Sequence, residues 1–341
     1  MLRGRVVLAT CVVLAASMLA SCGAPRGSAS GTLTIYSGQH LQTSLALVNA
    51  FEAETGIKVK VRSADEAVLA SQLMIEGARS PADVFLAGNS PAIEAVAAKG
   101  LLRSLPTSTL SHVPVADSSP KGDWVGVSAR VAVVAYSTHA LSPAHVPRSV
   151  MDLANPRWKG KVGLAPTESD FKPIVTSVEL RYGHDAALKW LQGVKANAGG
   201  HLYPDNEALI SAINRGAVEL GVLNQYYWYR LAAQLGARNM GSALATFNDG
   251  DAGYVLSISG AGVVASTKQP AAAQRFVAFL VSPKGQSIIA HSGSFEYPIA
   301  HGASTPPGEP AFSTLHPAPL SVAELGTGAS ALALLREAQL L

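Results

Sequence analysis

Strand-like and helix-like segments alternate along this chain from Thr32 onwards, and that order restricts the available folds more than any other feature. Leu33-Thr34-Ile35-Tyr36 reads as a strand, Leu41 to Glu54 as a helix closed by Gly56, and Ile57 to Arg62 as a second strand. A helix over Glu66 to Arg79, a strand over Ala82 to Leu86 and a helix from Pro91 to Lys99, stopped at Gly100, continue the series. Successive βαβ units imply a largely parallel sheet covered by helices. A more apolar strand, Val131 to Tyr136, follows a turn-rich stretch and suits a crossover into a second domain. Beyond it come a strand introduced by Trp158-Lys159-Gly160-Lys161-Val162, helices at Phe171 to Tyr182, Ala186 to Lys195 and Glu207 to Asn214, and a buried strand at Val218 to Leu223. Tyr254 to Ser259 with Gly262 to Ala265 returns to the first domain, Ala271 to Val281 and Pro283 to His291 cover it, and one terminal helix is expected over Val322 to Gln339.

A chain of 341 residues exceeds what one small core needs, so its length favours two domains of ordinary size. With 48% of residues apolar and only 14% charged, it can bury sizeable cores, and no long charged or low-complexity tract points to disorder.

The N-terminus needs separate treatment. Arg3 and Arg5 precede the apolar run Val6 to Ala16, the layout of a secretory signal peptide and too short to span a bilayer comfortably. The run leads to Leu19-Ala20-Ser21-Cys22, which resembles the lipobox of bacterial lipoproteins, in which the cysteine is diacylated and becomes the mature N-terminus. The plainer alternative is an ordinary cleaved signal with an incidental cysteine. Residues 1–21 are therefore expected to be a signal peptide and 22–31 a lipidated flexible tether, rich in Gly, Ser, Ala and Pro, holding the protein on the extracytoplasmic face of the cell membrane. The two cysteines are Cys11 and Cys22, so the mature body can build no disulfide, zinc cluster or cysteine nucleophile. The formal charge of +3 loses Arg3 and Arg5, leaving about +1, and nothing in that balance points to a nucleic-acid partner.

Enzyme signals are weak. The sequence contains no HExxH, CxxC, P-loop or nucleophile-elbow pattern, and Gly260-Ala261-Gly262 is too short for a dinucleotide fingerprint. The most unusual local feature is Asn224-Gln225-Tyr226-Tyr227-Trp228-Tyr229-Arg230, directly after an apolar strand. An aromatic helix face packed on a core is one reading of it. The other is a ligand site: adjacent helical residues point roughly 100° apart, yet at the first turn after a strand the backbone can aim both tyrosines into one cleft. Their phenols titrate near about 10 when free, and a bound trivalent cation stabilises phenolate enough to remove the proton at neutral pH. Free N–H groups at the same helix start suit a small anion.

Tyr36-Ser37-Gly38-Gln39-His40, Ser80-Pro81-Ala82-Asp83-Val84-Phe85, Trp158-Lys159-Gly160-Lys161 and Asn224 to Arg230, in that order and spacing, resemble the bacterial ferric-ion-binding receptors, or bacterial transferrins. Gly253 to Val264 and Glu296-Tyr297-Pro298 extend the likeness, which covers roughly Thr32 to Pro298. It implies the class II periplasmic-binding-protein fold: two α/β domains, 32–130 with 253–305 and 131–252 with 306–341, joined by two crossover strands around a ligand cleft. It implies a monomeric, non-enzymatic solute-binding lipoprotein of an ABC-type importer, delivering Fe³⁺ to a membrane permease. By the same likeness His40, Tyr226 and Tyr227 occupy the metal-ligand positions, and Arg130, Asn206 and Asn224 resemble contacts to a synergistic anion, phosphate or carbonate. Each also has a plainer role, His40 as a helix cap and the other three as capping or surface groups.

Two departures bear on the ligand. The family carboxylate usually follows the Ala-Asp-Val-Phe strand, where this chain has Gly88 and Asn89, and the usually small, neutral anion loop reads Thr167-Glu168-Ser169-Asp170. Either the missing acid has moved to Glu168 or Asp170, or the ligand is no longer free Fe³⁺; helix capping is the bland role for both acids. Rival ligands are chelated iron, a polyamine, thiamine or a phosphonate, and a rival of another class is a surface enzyme on the same fold.

Overall fold

A computed structural model describes residues 31–341; the signal-like segment, Cys22 and the tether through Ser30 lie outside the described residues. The strands are β1 (Leu33–Ser37), β2 (Val59–Ser63), β3 (Val84–Ala87), β4 (Leu102–Arg103), β5 (Trp124–Ser137), β6 (Val162–Gly163), β7 (Leu220–Asn224), β8 (Ser242–Ala245), β9 (Leu256–Val264) and β10 (Tyr297–Pro298). The helices are α1 (Leu41–Thr55), α2 (Glu66–Glu76), α3 (Ser90–Ala97), α4 (Thr107–Leu110), α5 (Phe171–Tyr182), α6 (His184–Ala198), α7 (Asn206–Asn214), α8 (Gln225–Leu235), α9 (Pro270–Leu280), α10 (Pro283–His291), α11 (Val322–Leu325) and α12 (Ala329–Glu337).

The strands run in the order β2-β1-β3-β9-β5-β7-β6, with β10 and β8 also paired to β5 and β4 to β9. Pairing is parallel from β2 to β3 and again between β7 and β6, whereas β3-β9, β9-β5 and β5-β7 are antiparallel. The expected largely parallel sheet is therefore mixed. Its middle consists of strands that traverse the molecule rather than of βαβ units.

β5 organises that middle. From Trp124 to Val131 it pairs with β9, from Ala132 to Tyr136 with β7, and its far end also pairs with β8. One continuous strand thus changes partner between Val131 and Ala132, and all of its residues are buried. The strand begins at Trp124 rather than Val131, because Gly126, Ser128 and Arg130 interrupt the apolar run yet are accommodated by neighbouring polar groups. Ser128 Oγ, for example, lies 2.6 Å from Ser259 Oγ and donates to Glu296 Oε2 at 2.5 Å. β8, four residues of which three are small, gives no sequence signal.

Helices meet the strands where their caps dictate. Gly56, at φ 71°, ends α1, which buries Phe51 against Phe276 of α9 at 5.0 Å between ring centroids. Burying a ring of that size contributes about 1.5–3 kcal/mol. Asp83 accepts the Thr34 N–H at 2.8 Å and the Thr267 hydroxyl, tying the start of β3 to β1 and to the segment before α9. The single terminal helix expected over Val322 to Gln339 is broken: Ser321 and Glu324 form a capping box on α11, Gly326 and Gly328 take φ 55° and 72°, and α12 starts afresh against α5 and α6.

Candidate ligand site

β7 runs straight into α8, and the junction sets the geometry of the aromatic run. Asn224 is the N-cap residue of α8 but makes no side-chain capping bond, and Gln225 takes over the anchoring. Its Oε1 accepts the Val131 N–H at 2.8 Å, at the point where β5 changes partner, while its Nε2 donates to the Phe295 carbonyl at 3.0 Å and Glu309 at 3.2 Å. Fixed in this way, the first turn aims Tyr226 and Tyr227 the same way, with ring centroids 4.0 Å apart and planes tilted by 30°. Both hydroxyls donate to one oxygen, Asp170 Oδ2, at 3.4 and 3.1 Å.

His40 arrives from the loop between β1 and α1, its ring edge-on to Tyr226 with 5.0 Å between centroids. Its Nε2 is buried without a hydrogen-bond partner and lies 3.4 Å from Glu296 Oε1. Arg130 stands behind this group: its guanidinium is 3.0 Å from Glu296 Oε1 and 3.7 Å from Asp170 Oδ1, and it donates to the Gly88 carbonyl at 2.5 Å. The described structure thus brings together His40, Tyr226, Tyr227, Asp170 and Arg130. Glu168 turns elsewhere, accepting the Asn206 N–H at the start of α7 at 3.3 Å. Asn206 and Asn224 are both buried, and neither polar atom of the Asn224 side chain has a partner.

Burial sets the protonation states. It pushes both tyrosines well above the usual phenol range, and Asp170 pushes them further, so both are neutral donors in the absence of a cation. Burial lowers the His40 imidazole, only partly opposed by Glu296, so it is neutral at pH 7 with a lone pair to offer. Burial opposes the charge on Arg130, but the carboxylates of Glu296 and Asp170 outweigh it and keep the guanidinium charged. Glu168 is pushed up to about 7 by burial and by Asp170.

Among the described residues no group of three or more His, Cys, Asp or Glu forms a ready-made metal cluster. A metal here would instead take two phenol oxygens, a carboxylate and an imidazole, a donor set suited to a hard, highly charged cation able to displace phenolic protons. Two further acids line the same region, Glu66 and Glu296. Glu296 was visible in sequence only as part of Glu-Tyr-Pro, and Glu66 reads as an ordinary first-turn helix acid.

Residues 79–313 match the bacterial extracellular solute-binding protein family. The chain is 37% identical over 295 residues to an Fe(3+)-binding periplasmic protein of Serratia marcescens, covering 86% of this chain and 87% of that one. It superposes on iron-bound HitA from Pseudomonas aeruginosa with a TM-score of 0.86 at 40% identity, covering 90% of this chain and 99% of the other. The Trichodesmium protein IdiA, also called FutA, in complex with iron and citrate, matches with a TM-score of 0.80 at 28% identity over 90% of this chain and 99% of that one. These likenesses give the fold as the class II periplasmic-binding-protein type.

Proposed function

The chain belongs to the bacterial extracellular solute-binding proteins, and from that premise we propose that it is the receptor of an ABC-type importer, binding ferric iron and delivering it to a membrane permease. The observation that carries this reading is the convergence of both tyrosine hydroxyls on Asp170, beside a neutral His40 whose Nε2 has no partner. The iron-binding relatives and the iron-bound structures support the choice of metal. Binding and release, not turnover, is the activity assigned.

In this reading His40, Tyr226, Tyr227 and Asp170 ligate the metal, and Glu168 stabilises the start of α7. Asp170 then supplies within the chain a negative charge that an added anion would otherwise bring. Support for a residual contact to phosphate or carbonate is strongest at Asn224, whose buried amide is unpartnered; Arg130 is already engaged by carboxylates, and Asn206 offers its N–H to Glu168. The two domains are assigned as 32–130 with 253–305 and 131–252 with 306–341. The change of partner within β5 and the packing of α12 on α5 and α6 support that division. Closure by hinge motion brings the ligands together.

The protein purified from iron-replete cells, or mixed with ferric citrate at neutral pH, is expected to take up one equivalent of Fe³⁺ and turn orange to purple through phenolate-to-iron charge transfer. Asp170→Asn should weaken uptake, and Glu168→Gln should leave it near the parent level. A colourless protein that takes no ferric ion from citrate, with or without phosphate or carbonate, would sink the iron assignment.

We also infer that Cys22 carries the lipid that holds the receptor at the membrane. A diacylglyceryl group contributes more than one chain, enough for stable anchoring, whereas a single chain anchors marginally. Cys22→Ala should move the protein from the detergent phase to the aqueous phase, or leave it unprocessed. Unchanged partitioning would exclude this anchor.

A further inference from the structure

Glu66 opens α2 directly after its N-cap, Asp65, where an acid ordinarily faces solvent and favours the helix dipole. Here it is only 5% exposed. Two glycines make room for it: a Cβ on Gly38 would stand 2.5 Å from Glu66 Cβ, and one on Gly88 would stand 2.8 Å from Glu66 Oε2. The carboxylate admitted between them accepts the Asn89 N–H at 2.6 Å and Asn89 Nδ2 at 3.0 Å. The same Nδ2 lies 3.0 Å from Asp170 Oδ1 and 3.1 Å from Ser169 Oγ. A neutral amide nitrogen with two hydrogens is thus ringed by three oxygens, a position better suited to a cation, while the buried Asn89 Oδ1 has no partner.

The charges point the same way. Arg130 is a single buried cation facing three buried carboxylates, Glu66, Asp170 and Glu296. Glu66 has Asn89 for its close donor and only a share of the Arg130 charge, and buried carboxylates that outnumber their cations are unfavourable unless more positive charge joins them. The excess of acids in the empty protein is balanced once a highly charged cation enters beside Asp170.

We propose that Glu66 is a specificity-determining carboxylate of the cation site, contributing charge that lets the site hold a bare trivalent ion without an accompanying anion. This rests on the ferric reading above. Asn89 fills the gap between Glu66 and Asp170 in the empty protein and yields it to the cation.

Glu66→Gln tests the proposal, since it keeps the size and an oxygen to accept from the Asn89 N–H while removing the buried charge. The empty variant should melt at or above the parent temperature, while ferric affinity measured by competition with citrate falls at least about tenfold. Added phosphate should recover part of the loss, and Glu66→Asp, which keeps the charge, should bind between the parent and Glu66→Gln. Parent-like affinity in Glu66→Gln, with Tyr226→Phe impaired in the same assay, would overturn the proposal and leave Glu66 as a structural group. So would a lowered melting temperature with unchanged affinity. If the parent itself takes no ferric ion, the ferric reading fails first and this proposal with it.

Discussion

Tyr226→Phe combined with Tyr227→Phe is expected to abolish both the visible absorption band and ferric uptake from citrate, while the protein stays folded. Each substitution keeps the ring and its packing and removes one oxygen. The cost to the empty protein is one hydrogen bond to Asp170 per site, about 1 kcal/mol each. Direct ligands are at stake, so each single variant should lose more affinity than the ~10–100-fold typical when only a ligand's hydrogen-bond partner is removed. Proton linkage gives an independent reading. Both phenols lie well above their usual range when empty, so ferric binding must expel both protons. Affinity therefore rises with pH, by up to about two decades per unit, and falls as pH drops; His40 adds to the fall only where it begins to protonate, below the usual imidazole range. The double variant should lose most of that slope along with the colour. A double variant that binds iron with the parent's slope would show that the tyrosines are packing residues.

Arg130→Met is the second large effect expected. The guanidinium faces Glu296 at 3.0 Å and Asp170 at 3.7 Å, all three buried, and its removal leaves several carboxylates without a counter-charge. Breaking a buried pair in this way typically costs about 3–5 kcal/mol. The sign with pH follows from the acids. Glu66 is already raised by burial, with Arg130 among the groups that lower it, so loss of Arg130 raises it further. A carboxyl raised in the folded state destabilises once pH exceeds its unfolded value, so the defect should be large at pH 8 and should shrink towards pH 4 as Glu66 takes up its proton. Urea titrations at the two pH values measure this directly, and saturating iron should restore part of the stability by binding the folded state alone. Parent-like stability at pH 8 would mean that the carboxylates are compensated by other groups.

Local features of the fold were legible where one residue type decides the backbone. Gly56 and Gly100 end helices in positive φ, and α5 spans Phe171–Tyr182 as its periodicity predicts. The first part of β5 was illegible because its stability comes from pairing on both sides and from internal polar contacts, not from a run of apolar side chains. Gly326-Thr327-Gly328 was readable as a break, but the apolar periodicity on either side outweighed it. At the site, the tyrosine pair, His40 and Asp170 could be named because strand-to-helix junctions and an unusual acidic loop leave marks in sequence. Glu66 left none, and Glu296 only its place in Glu-Tyr-Pro, with no hint of a role at the site. What makes them unusual is burial beside residues remote in the chain: Asn89 is 23 positions from Glu66, and Gln39 is 257 positions from Glu296.

The hold that Gln225 keeps on Val131 has a mechanical consequence. The side chain that positions the tyrosines is bonded to the very peptide at which β5 exchanges one neighbour for the other. In the proposed two-domain reading, a twist of that strand that parts the domains would drag the start of α8 with it, and iron gripped by the tyrosines would in turn load the strand like a torsion bar. In the receptor proposed above, seizing the cargo and bending the frame would be one motion, and whatever pries the halves apart would loosen the metal by the same stroke.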